Sequence, residues 1–129
     1  MKVWNSDDIS KILERHLGAF PTGSYVTCNP PVTDTDQDWV VLIANCEFNE
    51  SINHLQALGF DTGRAEYYLG SYIQAARKGT LNLILTWDEG TFQKTRLATD
   101  VAKELNLLEK SHRVLLFQAI RGEISEIAL

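Results

Sequence analysis

The chain has no long apolar run: nowhere in its 129 residues do consecutive apolar positions approach the roughly 20 that a membrane-spanning helix needs. It is short of basic residues as well. Twelve lysines and arginines stand against seventeen aspartates and glutamates, a formal net charge of −5. That balance argues against a protein that coats nucleic acid through bulk electrostatics, though it is compatible with a small nucleotide carried with its own metal ions. Cysteine is scarce: Cys28 and Cys46 are the two. They make no Cys-x-x-Cys spacing and no disulfide framework, so reduced thiols in a cytosolic protein are expected. Met1 to Asp8 carry no apolar core of signal-peptide type, which again points to the cytoplasm. Zinc-ligand spacing, a dinucleotide fingerprint, a Walker loop and a Ser-His-Asp arrangement are all missing.

What is present is ordinary for a globular chain. Hydrophobic residues make up 44% and charged residues 22%, with no repeat, linker or low-complexity tract. One domain over 1–129 is expected, with 124–129 as a loosely held tail. The expected fold class is α/β (α+β), a small mixed sheet packed with helices.

Ser6-Asp7-Asp8 reads as a helix cap with acidic residues in the first turn. Ile9, Ile12, Leu13, His16 and Leu17 share a face at helical spacing, with Gly18 as the stop. His16, at the edge of that face, reads as structural. Ala19-Phe20-Pro21 reads as a brief extension, and Tyr25 to Cys28 as a helical turn or two that Asn29-Pro30-Pro31 ends. Gln37 to Ala44 reads as a strand. A helix carrying Ile52, Leu55 and Leu58 follows Asn49 and ends at Gly59, with His54 facing solvent. Gly63 to Glu66 is a loop or the start of a strand. Two β-prone runs, Tyr72 to Ala76 and Thr80 to Thr86, flank Arg77-Lys78-Gly79 as a hairpin. In its second arm Leu81, Leu83 and Leu85 share one face, and Asn82, Ile84 and Thr86 the other. The longest amphipathic helix carries Phe92, Leu97, Ala98, Val101, Ala102 and Leu105, and a last one runs from Ser111 to Arg121-Gly122.

Asp34, Asp36 and Asp38 occupy every second position and run straight into the apolar stretch Trp39 to Ala44. That stretch is rich in β-branched residues and short for a helix, the pattern of a buried strand. Residues i and i+2 of a strand share a face, roughly 6–7 Å apart. Asp36 and Asp38 therefore stand together at the strand mouth, where two carboxylates repel unless a cation intervenes. A hard divalent ion such as magnesium suits oxygen ligands. Upstream, Gly23-Ser24 combines a residue that lets backbone approach a ligand closely with a hydroxyl that can donate to a phosphate oxygen.

A Gly-Ser turn followed by Thr35-Asp36-Gln37-Asp38-Trp39-Val40-Val41 resembles the DNA polymerase β-like nucleotidyltransferase superfamily in its small single-domain form. The resemblance covers Gly23 to about Thr86. The Asp34/Asp36 register fits it less well, because Gln37-Asp38 would replace the apolar continuation. The resemblance implies transfer of a nucleotide from a nucleoside triphosphate to a hydroxyl. In that chemistry two magnesium ions about 3.5–4 Å apart stabilise the attacking and leaving oxygens. Asp36 and Asp38 match the paired catalytic, metal-holding carboxylates, and Gly23 and Ser24 the nucleotide turn. The third metal position falls on Asn82, which can ligate magnesium through its carbonyl but brings no charge. Arg77 and Lys78, on the adjoining turn, are placed to receive triphosphate oxygens; Arg64 has similar standing. Glu66 and Asp88 do not lie at the matching position.

The acceptor, on a protein, an RNA or a small molecule, would come from a partner or a second subunit of a homo-oligomer, since a chain this short has no room for a recognition domain. A rival reading keeps the fold and loses the reaction, giving an interaction module; Asn82 is its argument. A plain acidic turn capping a strand competes as well. An EF-hand loop starting at Asp34 is excluded, because Trp39 and Asn45 stand where glycine and glutamate are needed.

Overall fold

The computed structural model describes residues 3–29, 36–63, 65–68 and 71–121. Five strands form one mixed sheet: β1 (Gly18–Thr22), β2 (Gln37–Leu42), β3 (Ala65–Tyr68), β4 (Ser71–Lys78) and β5 (Leu81–Thr86), in the order β1-β2-β5-β4-β3. β2 and β5 are parallel neighbours at the centre, and the other pairs are antiparallel. The helices are α1 (Ser6–Ile12), α2 (Ser24–Thr27), α3 (Phe48–Ala57), α4 (Glu89–Leu105) and α5 (Lys110–Arg121). This is a mixed α+β domain. No described helix is long and apolar enough to cross a membrane.

β2 is apolar at consecutive positions because both of its faces are covered. Trp39 and Val41 join Leu81, Leu83 and Leu85 of β5 in a core roofed by Ile9 and Leu13 from the α1 end and by Phe48, Ile52 and Leu55 from α3. Val40 and Leu42 face the other way, onto Phe20 of β1 and Phe92 of α4. The alternation read along Leu81 to Thr86 is this partition: leucines toward the larger core, Ile84 toward the smaller one.

Two expectations about the first quarter of the chain change. The helix predicted from Ser6 through Leu17 ends at Ile12, and Leu13 is already extended at φ −128°. Leu13 still reaches the core, but Leu17 is exposed, and its N–H donates to Leu42 O at 2.8 Å as the chain begins to pair with β2. Gly18–Thr22, expected as a brief extension, is the edge strand β1. Pro21 has no N–H to give a ladder, which an edge strand tolerates. The segment left open at Gly63 to Glu66 enters strand β3 at Ala65. The expected hairpin is β4–β5, closed at Gly79 with φ +59°, a backbone region open to glycine. The tail over 124–129 lies outside the described residues.

α4 carries its own boundary signals. Asp88 caps it by accepting from Thr91 N, and Asn106 at its C-terminus is left-handed at φ 48°. Asn106 also bonds the backbone N–H and C=O of Asn29, at 2.8 and 3.1 Å. Arg113 of α5 donates to Leu107 O and Leu108 O at 2.8 and 2.7 Å and to the buried Cys28 Sγ at 3.3 Å. These contacts fix the loop after α2 to the α4–α5 pair. His54 is exposed, as expected, and donates to Ile12 O at 3.0 Å; His16 meets Ser10 Oγ at 3.2 Å.

Candidate functional site

The parallel register sets Asp38 of β2 directly beside Asn82 of β5. The antiparallel registers on either side add Thr22 of β1, paired with Asp38, and Arg77 of β4, paired with Asn82. Thr22, Asp38, Asn82 and Arg77 thus form one row across four strands, with neighbouring strands roughly 4.8 Å apart. The row lies on the face shared with Val40, Ile84 and α4, at the end of the sheet where β2 and β5 begin. Asp36 stands two residues before Asp38, just outside the strand.

Within the row, Asn82 Nδ2 donates to Asp38 Oδ1 at 2.9 Å. Arg77 Nη1 reaches Asp36 Oδ2 at 3.5 Å, an ion pair between largely exposed side chains. Burial pushes the Asp38 carboxyl above its ordinary range, and the charge of Asp36 pushes the same way. The Asn82 hydrogen bond and the charge of Arg77 oppose the rise without cancelling it. Asp38 is therefore a half-buried carboxylate that burial and a like-charged neighbour both disfavour.

Gly23, between β1 and α2, closes on this carboxylate. Its φ is +80°, and a methyl group built on its Cα would lie 2.4 Å from Asp38 Oδ2. Any larger residue would displace the carboxylate, so glycine is required here for close approach as well as for backbone conformation. Ser24 is the first residue of α2.

The expected residues fall into two groups. Gly23, Asp36, Asp38, Asn82 and Arg77 come together, with Ser24 next in the chain to Gly23. Lys78 does not join them. It follows Arg77 on β4 and so points to the opposite face, where Nζ donates to Leu58 O at 2.6 Å and lies 5.8 Å from the centre of the Phe60 ring. Glu66 is on β3 at the far edge of the sheet, and Asp88 caps α4 beyond the other end of β5. Asp34, Thr35 and Arg64 lie outside the described residues.

A hard cation would find an oxygen set here. Among the described residues no three His, Cys, Asp or Glu side chains form a metal cluster; the set is the carboxylates of Asp36 and Asp38 plus the Asn82 amide. Asn82 is buried, and its Oδ1 is a buried oxygen with no hydrogen-bond partner. An unpartnered buried carbonyl next to a carboxylate held above its usual range matches the needs of a small divalent ion. In this arrangement the amide turns its N–H, not its carbonyl, toward Asp38, so joining Asp38 on an ion would require half a turn about χ2.

Two features were not found by sequence reasoning. Thr22 Oγ1 lies 2.7 Å from Thr99 Oγ1 of α4, and Thr99 in turn donates to Thr95 O at 2.9 Å. Thr99 uses its proton there, so Thr22 is the donor. The signal was available: Thr91, Thr95 and Thr99 recur every fourth residue along the helix face that meets the sheet. The second feature is a cavity of about 340 Å³ beside Asp38, walled by the segment before α1, the end of β1, and α2.

No protein-family model matches this chain, and no curated protein matches it. Among solved structures it is similar to the conserved protein GrpB from Enterococcus faecalis, with a TM-score of 0.53 and 14% sequence identity, over 94% of this chain and 90% of that one. At that identity the likeness is one of fold, and it extends over nearly the whole domain.

Proposed function

We propose that the chain is a nucleotidyltransferase-fold protein that binds a nucleoside triphosphate with magnesium across Gly23, Ser24, Asp36, Asp38, Asn82 and Arg77. The observation that carries this reading is the row Thr22–Asp38–Asn82–Arg77, with Gly23 closed onto Asp38 and Asp36 at its mouth. Asp36 and Asp38 supply charge to the ion, and Asn82 an uncharged oxygen. Bound magnesium would supply charge stabilisation at the phosphoryl oxygens. Arg77, exposed and weakly held by Asp36, is free to exchange that carboxylate for a triphosphate oxygen. The Ser24 hydroxyl is a further donor to phosphate. Asn82 has no basic group, so the proton of an attacking hydroxyl falls to Asp38 or Asp36. The acceptor hydroxyl would come from a protein, an RNA or a small molecule, delivered by a partner or by a second copy of the chain.

One observation favours a second reading, a nucleotide-binding or interaction module with impaired turnover. The Asn82 amide already meets Asp38, and the Arg77 guanidinium already meets Asp36. Transfer of labelled nucleotide to an acceptor distinguishes the two. Turnover in the wild type that rises in Asn82→Asp supports the transferase; triphosphate binding without transfer in either protein supports the module. Manganese(II) paramagnetic resonance tests the ion itself. A bound signal that disappears in Asp38→Asn is expected, and one that persists there would refute the metal site.

A further inference from the structure

We propose that the site holds a single divalent ion, and that the Arg77 guanidinium supplies the second positive charge that faces the phosphates. This rests on the nucleotide reading above and parts from the two-ion arrangement that the resemblance implies. The oxygens available set the count. Arg77 Nη1 meets Asp36 Oδ2 at 3.5 Å, and Asn82 Nδ2 meets Asp38 Oδ1 at 2.9 Å. Among the described residues nothing else bonds either carboxylate, which leaves Asp36 Oδ1 and Asp38 Oδ2 open. Asp38 Oδ2 lies on the Gly23 side, in the space a Cβ there would enter. The unpartnered Oδ1 of Asn82, a residue 6% exposed, is the one further acceptor in the row. Two carboxylates and an amide carbonyl suit one magnesium, which fills its other positions with water and phosphate. A second ion would have to share the same oxygens. Asp36, Asp38 and Arg77 sum to one negative charge, which a single divalent ion already reverses, and no third carboxylate offsets another.

Backbone bonds hold the guanidinium at the edge of the row. Arg77 and Asp61 exchange both N–H···O bonds at 2.8 Å, which anchors the end of β4. Gln37 N donates to Thr80 O at 2.7 Å, tying the Asp36 to Asp38 segment to the hairpin that carries Arg77 and Asn82. The positive charge beside Asp36 is permanent, because a guanidinium does not lose its proton in a protein. It acts on the two ligands with opposite sign. It competes for Asp36 and repels a metal cation, while its N–H groups attract phosphate oxygens. A side chain that only packed would not drive the two affinities apart.

Manganese(II) titration, followed by calorimetry and paramagnetic resonance, counts the ions. Wild type is expected to bind one per chain, with the spectrum of an isolated ion. Asn82→Asp/Arg77→Gln, which adds a third carboxylate and removes the guanidinium, should bind two and show the spin coupling of ions a few ångströms apart. Arg77→Gln alone changes an exposed side chain. It should tighten the single manganese about two- to fivefold and weaken inorganic tripolyphosphate, added with manganese, about tenfold. That opposed response keeps the test decisive if the double variant does not fold. Two spin-coupled ions in wild type overturn the one-ion inference and leave the nucleotide reading standing. So does a folded double variant still limited to one ion, or an Arg77→Gln protein whose two affinities move together or not at all. A wild type that binds no manganese overturns this inference and the metal-dependent nucleotide reading together.

Discussion

Asp38 is where charge, burial and backbone conformation meet. Because burial, reinforced by Asp36, holds its carboxyl above the ordinary value of 3.8, the folded state binds that proton more tightly than the unfolded chain does. As pH rises from 3.8 through the raised folded value, stability falls, and it stays lowered at higher pH. Asp38→Asn removes that cost and keeps an oxygen for the Asn82 amide. Without divalent ions, its thermal midpoint should exceed that of wild type at neutral pH, and the two should converge below pH 3.8. Added magnesium should raise the wild-type midpoint and leave the variant where it was, since only a binding-competent folded state gains by mass action. Gly23→Ala is the complementary change. A methyl group 2.4 Å from Asp38 Oδ2 on a backbone at φ +80° should cost about 1–3 kcal/mol in chemical denaturation and weaken magnesium binding by displacing the carboxylate.

At the scale of elements, the site is held by how α4 lies on the sheet. The Thr22–Thr99–Thr95 chain ties the end of β1, one residue before Gly23, to the middle of α4. Thr99→Val leaves the buried Thr22 hydroxyl unpaired and should cost about 1–3 kcal/mol. The Thr22→Val/Thr99→Val double variant should recover part of that loss, a coupling that a double-mutant cycle in urea would measure. Most elements here were legible because pattern and packing agree. The alternating leucines of β5 and the unbroken apolar run of β2 each name their own face, whereas on α4 Leu97 and Leu105 of the expected stripe are exposed and Thr91, Thr95 and Thr99 lie against the sheet beside Phe92, Ala98 and Ala102. β1 was not legible. Leu13 and Leu17 continue the helical spacing of Ile9 and Ile12, and Pro21 argues against a strand; only the vacant edge of β2 makes Gly18–Thr22 pair there. Lys78 illustrates the same limit. Adjacent positions on a tight hairpin look equivalent in sequence, but the pleat sends Arg77 to the acidic row and Lys78 to Phe60 on the other face.

For the whole molecule, one core does most of the stabilising and the site sits at its margin. Leu83, fully buried in the larger cluster, should cost about 2–5 kcal/mol when cut to alanine, more than any change in the acidic row. That division explains what sequence could reveal of the site. The Asp-x-Asp spacing and the Gly-Ser turn stand in the chain itself, and the resemblance already set Asn82 with them; the cavity against Trp4 and Tyr25 exists only once distant segments pack. The GrpB likeness spans nearly the full chain and is one of fold. The most direct test is titration calorimetry with a nucleoside triphosphate and magnesium, on wild type and on Asp36→Asn/Asp38→Asn. Magnesium-dependent binding in the wild type that vanishes in the double variant is the predicted result. Binding of equal strength in both proteins would contradict it.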